Sequence, residues 1–160
     1  MAEVKLQKLH DRITKSLDEK VTRAKSAEAF LRLKIFPIYQ KAQNERFMSG
    51  NTTEGAAWPA ISSTYASYKQ KRYKGYPYGG SKVNIATSTL FYGVAINPDR
   101  VITSSSMVIS PSTRENNPET GKSLTSYAKY ANAERPFMKF GSDTTGDIKR
   151  AIRRWMLGDR

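Results

Sequence analysis

The stretch VAINPDRVITSSSMVI, residues 94–109, decides the fold class. Residues 101–103 and 107–109 are rich in branched side chains, which suit a pleated, half-buried surface. Asn97, Pro98 and Asp99 precede them as a turn signal, and Ser104, Ser105 and Ser106 read as the tip or a bulge between them. Together with the short apolar runs at residues 83–85 and 94–96, this fits a small antiparallel meander. Residues 87–92, between those two runs, fit a single helical turn.

Towards the N-terminus the pattern is helical. Val4, Leu9, Ile13, Leu17, Val21 and Ala24 recur mostly at three or four positions among charged residues, and Ala27, Leu31, Ile35, Ile38 and Ala42 continue the stripe to about Phe47. Pro37 removes a backbone donor and clashes with the preceding turn, which predicts a kink or break near Phe36. A helix of about 40 residues would span about 60 Å, more than a small domain can cover. Two arrangements stay open: an arm lying on a neighbouring subunit, or a kinked pair folded back on its own domain. The chain therefore divides into a helical arm at 1–48, kinked near Pro37, and a domain at 49–160.

Beyond the arm, residues 49–57 are turn formers, closed by Trp58 and Pro59. Ile61, Tyr65, Tyr68 and Arg72 follow the capping candidates Ser62 and Ser63 at helical spacing, predicting a short helix to about Tyr73. Residues 74–80 form a Gly-, Pro- and Tyr-rich loop, and 111–123 a polar one. Residues 123–133 read as a brief helix or a strand, and 136–140 as a short strand. After Ser142 and Asp143, one helix face carries Ile148, Ala151, Ile152 and Trp155 and the other Lys149, Arg150, Arg153 and Arg154, with Gly158 as the stop. The expected fold is α+β: a small antiparallel sheet flanked by helices, with a long N-terminal helix or arm and a C-terminal amphipathic helix.

Composition narrows the function. The 160 residues hold 27 Lys and Arg against 14 Asp and Glu, a net charge of +13 that favours a polyanionic or acidic partner. Cysteine is absent and His10 is the single histidine, which excludes disulfide scaffolds, thiolate chemistry and a His-based metal cluster or triad. No apolar signal region opens the chain, and no stretch nears the roughly 20 apolar residues of a membrane span. A cytoplasmically made protein with no membrane partner is expected.

Catalytic motifs fare poorly. Glu119-Thr120-Gly121-Lys122-Ser123 resembles the end of a phosphate-binding loop, but Asn116 stands where the first glycine is needed and Pro118 removes a further donor. Ser126 and Lys129 have Ser-x-x-Lys spacing without the accompanying motifs. The acidic residues are scattered, so no carboxylate pair suggests itself. The expectation is a protein that is not an enzyme and takes no cofactor or metal.

Basic residues interleaved with tyrosines carry more weight. Tyr65, Tyr68, Lys69, Lys71, Arg72, Tyr73, Lys74, Tyr76 and Tyr78 supply cations for phosphates and rings for stacking, as in a sequence-independent nucleic-acid-binding module. The other reading, which the residues favour slightly, is a Tyr-rich protein interface facing acidic neighbours. Arg150, Arg153 and Arg154 are read as a solvated face that complements the helix dipole, or as contacts to phosphates or an acidic partner.

Several of these segments, taken in order, resemble the phage virion morphogenesis family, to which tail-completion proteins belong. The resemblance rests on Arg46-Phe47, then Gly55 and Trp58 with Pro59-Ala60-Ile61-Ser62, then Tyr65 and a Lys-rich helix. An apolar run leads to Thr87-Ser88-Thr89-Leu90, similar to the family's Thr-Gly-x-Leu, and Tyr127-Ala128, Arg135-Pro136-Phe137-Met138 and a terminal amphipathic helix follow. It covers residues 29–157. Ser88 departs from the usual glycine, Tyr130 falls where a His-Gln-Phe-Gly run is common, and the 112–123 loop is longer than usual.

The resemblance implies a non-enzymatic virion protein at the neck or head-proximal tail end of a tailed phage. It would form a homo-oligomeric, hexameric ring that joins tail to head. Its partners would be copies of itself, other neck, tail-tube or tail-terminator proteins, and DNA in the channel. Within that picture Trp58, Ile61 and Tyr65 anchor the short helix as core. Arg135 and Phe137 form a packing anchor, in the core or at an interface. Tyr73, Tyr76, Tyr78 and Tyr127 are contact candidates, and Lys69, Lys71, Arg72 and Lys74 meet phosphate or acidic groups.

Overall fold

The computed structural model describes residues 2–25, 27–78, 80, 82 and 85–158, and the backbone alone for residues 2–9 and Tyr130. The stripe positions Val4 and Leu9 and the apolar Val83 thus lie outside what is described, as does the side chain of Tyr130. The fold is α+β, with helices α1 (Ala2–Lys25), α2 (Glu28–Phe30), α3 (Phe36–Ser49), α4 (Ser63–Arg72), α5 (Thr89–Phe91), α6 (Leu124–Glu134) and α7 (Ser142–Leu157). Strands β1 (Asp99–Ile102) and β2 (Met107–Ser110) form one antiparallel hairpin.

The N-terminal helix breaks earlier than Pro37 predicts. It stops at Lys25, and the Ala27 amide donates to the Ser104 carbonyl at the hairpin tip at 3.0 Å. From Glu28 the chain stays helical through Pro37 because Leu31–Ile35 (π1) widens into a π turn, with the Phe36 amide reaching Leu31 O. The extra residue in that turn gives room to the proline ring and absorbs its missing donor. Gly50, left-handed at φ 67°, ends the run by donating to Arg46 O.

A second π turn, Tyr92–Ile96 (π2), replaces the strand expected at residues 94–96. The helix started at Thr89 meets no breaker before Asn97, and its last carbonyls find side-chain donors on α3. The Tyr39 hydroxyl donates to Val94 O at 2.9 Å and Gln40 Nε2 to Ile96 O at 2.8 Å. The meander therefore shrinks to the hairpin, with Val101 paired to Val108 and Ile102 to Met107. Gly93 lies where a Cβ would fall 2.0 Å from Leu124 Cδ2, so α6 packs directly on its backbone.

Residues 124–134 are helical, which settles the helix-or-strand choice, whereas 136–140 form no strand. The Asn132 side-chain oxygen accepts the Phe137 and Met138 amides, both at 2.9 Å, so these donors are not left for a ladder. Gly158 stops α7 in the left-handed conformation, as expected.

One core joins these elements: Phe47, Trp58, Ile85, Leu90, Phe91, Val94, Ala95, Leu124, Ala128 and Phe137. Phe47 sits among Trp58, Phe91 and Phe137 at ring distances of 5.5, 5.6 and 5.8 Å. α3 contributes Phe47 to this core. The described part of α1 is largely exposed and is held at its end by the Arg23 guanidinium donating to Met156 O at 3.2 Å.

Candidate functional site: the tyrosine face of α4

Helix α4 begins as its sequence predicts, with Ser62 accepting the Tyr65 amide at 3.2 Å. Its orientation reverses one expectation. Trp58 is buried and donates through Nε1 to Pro136 O at 3.0 Å, but Tyr65 is not core: it is 44% exposed and Tyr68 51%. These rings stack on each other at 6.0 Å, Tyr68 meets Tyr73 edge-on at 6.3 Å, and Tyr73 meets Tyr76 at 6.2 Å. Tyr127 lies close enough to interact electrostatically with both Tyr65 and Arg135, and burial raises its hydroxyl pKa. Four tyrosines, Tyr65, Tyr68, Tyr73 and Tyr76, thus form a continuous series of ring contacts, with Tyr127 nearby.

The cations around that face divide into two sets. Lys69, expected to meet phosphate, is instead 1% exposed and its ammonium donates to Lys82 O. Burial, assisted by the nearby charge of Arg135, lowers its pKa to about 8. Arg72 is held by Glu119 at 3.1 Å, and that hydrogen bond raises its pKa. Lys71 and Lys74 remain exposed. With two of four cations engaged inside the chain and the rings stacked on one another, the face matches a protein interface better than a track for a phosphate backbone.

The other sequence candidates scatter. Phe137 is fully buried in the core of the single chain, while Arg135, half-buried, reaches Pro59 O at 3.4 Å. Tyr78 is half-exposed and packs edge-on against Phe91 at 6.1 Å. Arg150 pairs with Asp147, and Arg153 and Arg154 lie exposed beside it on α7. Gly121 and Lys122 occupy an exposed turn, and the Ser126 hydroxyl is shared with Ser123 at 3.1 Å.

A buried ionic knot escaped the sequence reading. Arg46 and Glu54 pair at 3.4 Å with side chains 2% and 4% exposed. Arg46 also donates to Phe137 O, and Glu54 accepts the Gly141 amide at 2.7 Å and the Thr144 hydroxyl. Glu54 therefore places its charge at the N-terminus of α7, where the helix dipole favours an anion. The one sequence signal for it was a lone acid in a loop of small turn formers.

No protein-family model, curated protein or solved structure matches the chain. Among the described residues, no helix is long and apolar enough to cross a membrane.

Proposed function

We propose that the protein is a structural component of a tailed-phage virion, a ring-forming tail-completion or neck protein that joins tail to head through contacts alone. The observation that carries this reading is convergence. Arg46-Phe47, Trp58, Leu90, Ala128 and Pro136-Phe137, some of the dispersed positions on which the family resemblance rests, pack together, while Tyr65 and Tyr127 of the same set lie exposed. Arg46 bonds Phe137 O, Trp58 bonds Pro136 O, and Phe47 touches Trp58, Phe91 and Phe137.

Position 88 adds support. The resemblance has glycine there, and Ser88 adopts φ 65°, the left-handed conformation that glycine takes without strain. A sequence that merely shared composition with the family would have no reason to place a left-handed residue at that site.

Electron microscopy of the purified chain, alone and with isolated tails, tests the reading. Closed rings of fixed copy number, or such rings capping tail ends, are expected. A chain that stays monomeric in both conditions overturns the assignment.

A further inference from the structure

Between Glu54 and Asp99 the sequence holds no acidic residue, while Lys69, Lys71, Arg72, Lys74 and Lys82 fall within that stretch. All of α4 comes from it, as do Tyr65, Tyr68, Tyr73 and Tyr76. The face is thus built without a carboxylate of its own. One nevertheless reaches it from elsewhere: Glu119, in the 111–123 loop, lies against Arg72 at 3.1 Å with its side chain 23% exposed. The loop is shaped to carry it there. Asn116 pairs with Ser123 in a β-bridge, and the Asn117 side-chain oxygen accepts the Glu119 amide at 2.8 Å. Of the groups that act electrostatically on Arg72, Tyr73 and Tyr127, Glu119 is the one carboxylate.

Glu119 satisfies one cation and leaves two. Lys71 lies one turn along from Tyr68, Lys74 follows the last turn of α4, and both are exposed with no ion pair among the described residues. Tyr65 and Tyr68 stand open beside them. Rings that offer area and a hydroxyl donor, next to ammonium groups without a counter-charge, suit a segment that carries both carboxylates and apolar side chains. A second copy has no such segment. Asp18-Glu19 is the only adjacent acidic pair in the sequence, Lys20 follows it, and each copy carries a charge of +13. Nucleic acid suits the face less well, since the rings close on one another and the anion already held there is a carboxylate.

We propose that Tyr65, Tyr68, Lys71 and Lys74 bind an acidic segment of a protein of different sequence, on a carboxylate-binding face whose Arg72 position Glu119 fills from within the chain. Such a partner is not a copy of the chain, so its docking goes beyond the ring reading and holds in any state of assembly. Glu119 is then an internal competitor, and its removal adds the Arg72 guanidinium to the cations that the partner meets.

A fluorescein-labelled, glutamate-rich peptide with interspersed leucines, titrated with the full chain at physiological salt, tests this by anisotropy. Lys71→Gln with Lys74→Gln should weaken binding about tenfold, whereas Lys149→Gln with Arg153→Gln, an equal loss of charge on the exposed side of α7, should change it less than about twofold. Glu119→Gln should tighten binding about threefold. Glu45→Gln is its matched control, since Glu45 also pairs with a surface cation, Lys41 at 3.9 Å, and it should leave the affinity as it is. No binding of the peptide, equal losses from the two double variants, or a Glu119→Gln chain that binds no tighter than Glu45→Gln overturns the proposal. A single-stranded oligonucleotide that binds more tightly than the peptide and depends on the same two lysines gives the face to nucleic acid and overturns it as well. None of these readouts requires closed rings, so their failure leaves the ring assignment standing, and failure of the rings leaves them readable.

Discussion

In the body, the charged side chains that leave water, Arg46, Glu54 and Lys69, find partners within the chain; on α1 and the outer side of α4, apolar side chains stay in water. Arg46, Glu54 and Lys69 are all buried, and each is tied to a carbonyl, an amide or an opposite charge. Leu17 and Tyr68 are more than half exposed. The difference separates two demands. The body is specified by groups that are costly to leave unpaired, so its geometry is narrow. The outer faces cost little in a single copy and gain only by association.

The largest test of this contrast is Arg46→Met. It leaves the Glu54 carboxylate buried without its cation and should cost about 3–5 kcal/mol in denaturant unfolding. Arg46→Met with Glu54→Gln should recover much of that loss, because no net charge then remains inside. If the single variant unfolds like the parent, the body is not held as described.

Lys69 sharpens the contrast through pH. Burial lowers its pKa to about 8, so between pH 8 and the ordinary lysine value the unfolded chain holds a proton that the folded chain has released. Stability should therefore rise across that window by about 2–3 kcal/mol, and below pH 8 the full cost of burying the charge is present. Lys69→Met should lose that rise relative to the parent over the same range, measured by thermal unfolding at each pH.

Ser88 lies between the two regimes. Ser88→Gly relieves the left-handed backbone but loses the hydroxyl bond to Pro77 O, so its unfolding free energy should stay within about 1 kcal/mol of the parent. Ser88→Val, β-branched at positive φ, should cost about 2 kcal/mol. The smallest effect belongs to α1: Leu17→Ser should change the stability of a single copy by less than about 0.5 kcal/mol in denaturant unfolding.

Much of this was legible in the sequence where one local cause dominates. The hairpin followed from branched residues around a serine turn, α4 from its Ser62 cap, and the end of α7 from Gly158. The misreadings arose where a distant partner decided. Residues 94–96 have strand-like composition, but Tyr39 and Gln40, more than 50 positions earlier, supply donors that let a π turn end there. The face of α4 could not be assigned from spacing, because Ile61, Tyr65 and Tyr68 are as periodic as a core stripe. What set the face was the burial of the neighbouring line of Ala66, Lys69 and Tyr73, which turns Tyr65 to the edge and Tyr68 outward. The knot of Arg46 and Glu54 left no periodic trace, since Glu54 acts through its position beside α7 alone.

The same knot bears on when the chain becomes competent. Its members are separated by eight residues on one side and by about ninety on the other, where Glu54 waits for Thr144 and Arg46 for Phe137. During synthesis the first helix and the tyrosine segment emerge well before that closure is available. The knot of the body cannot close until residues 137–144 have been made and have reached Arg46 and Glu54.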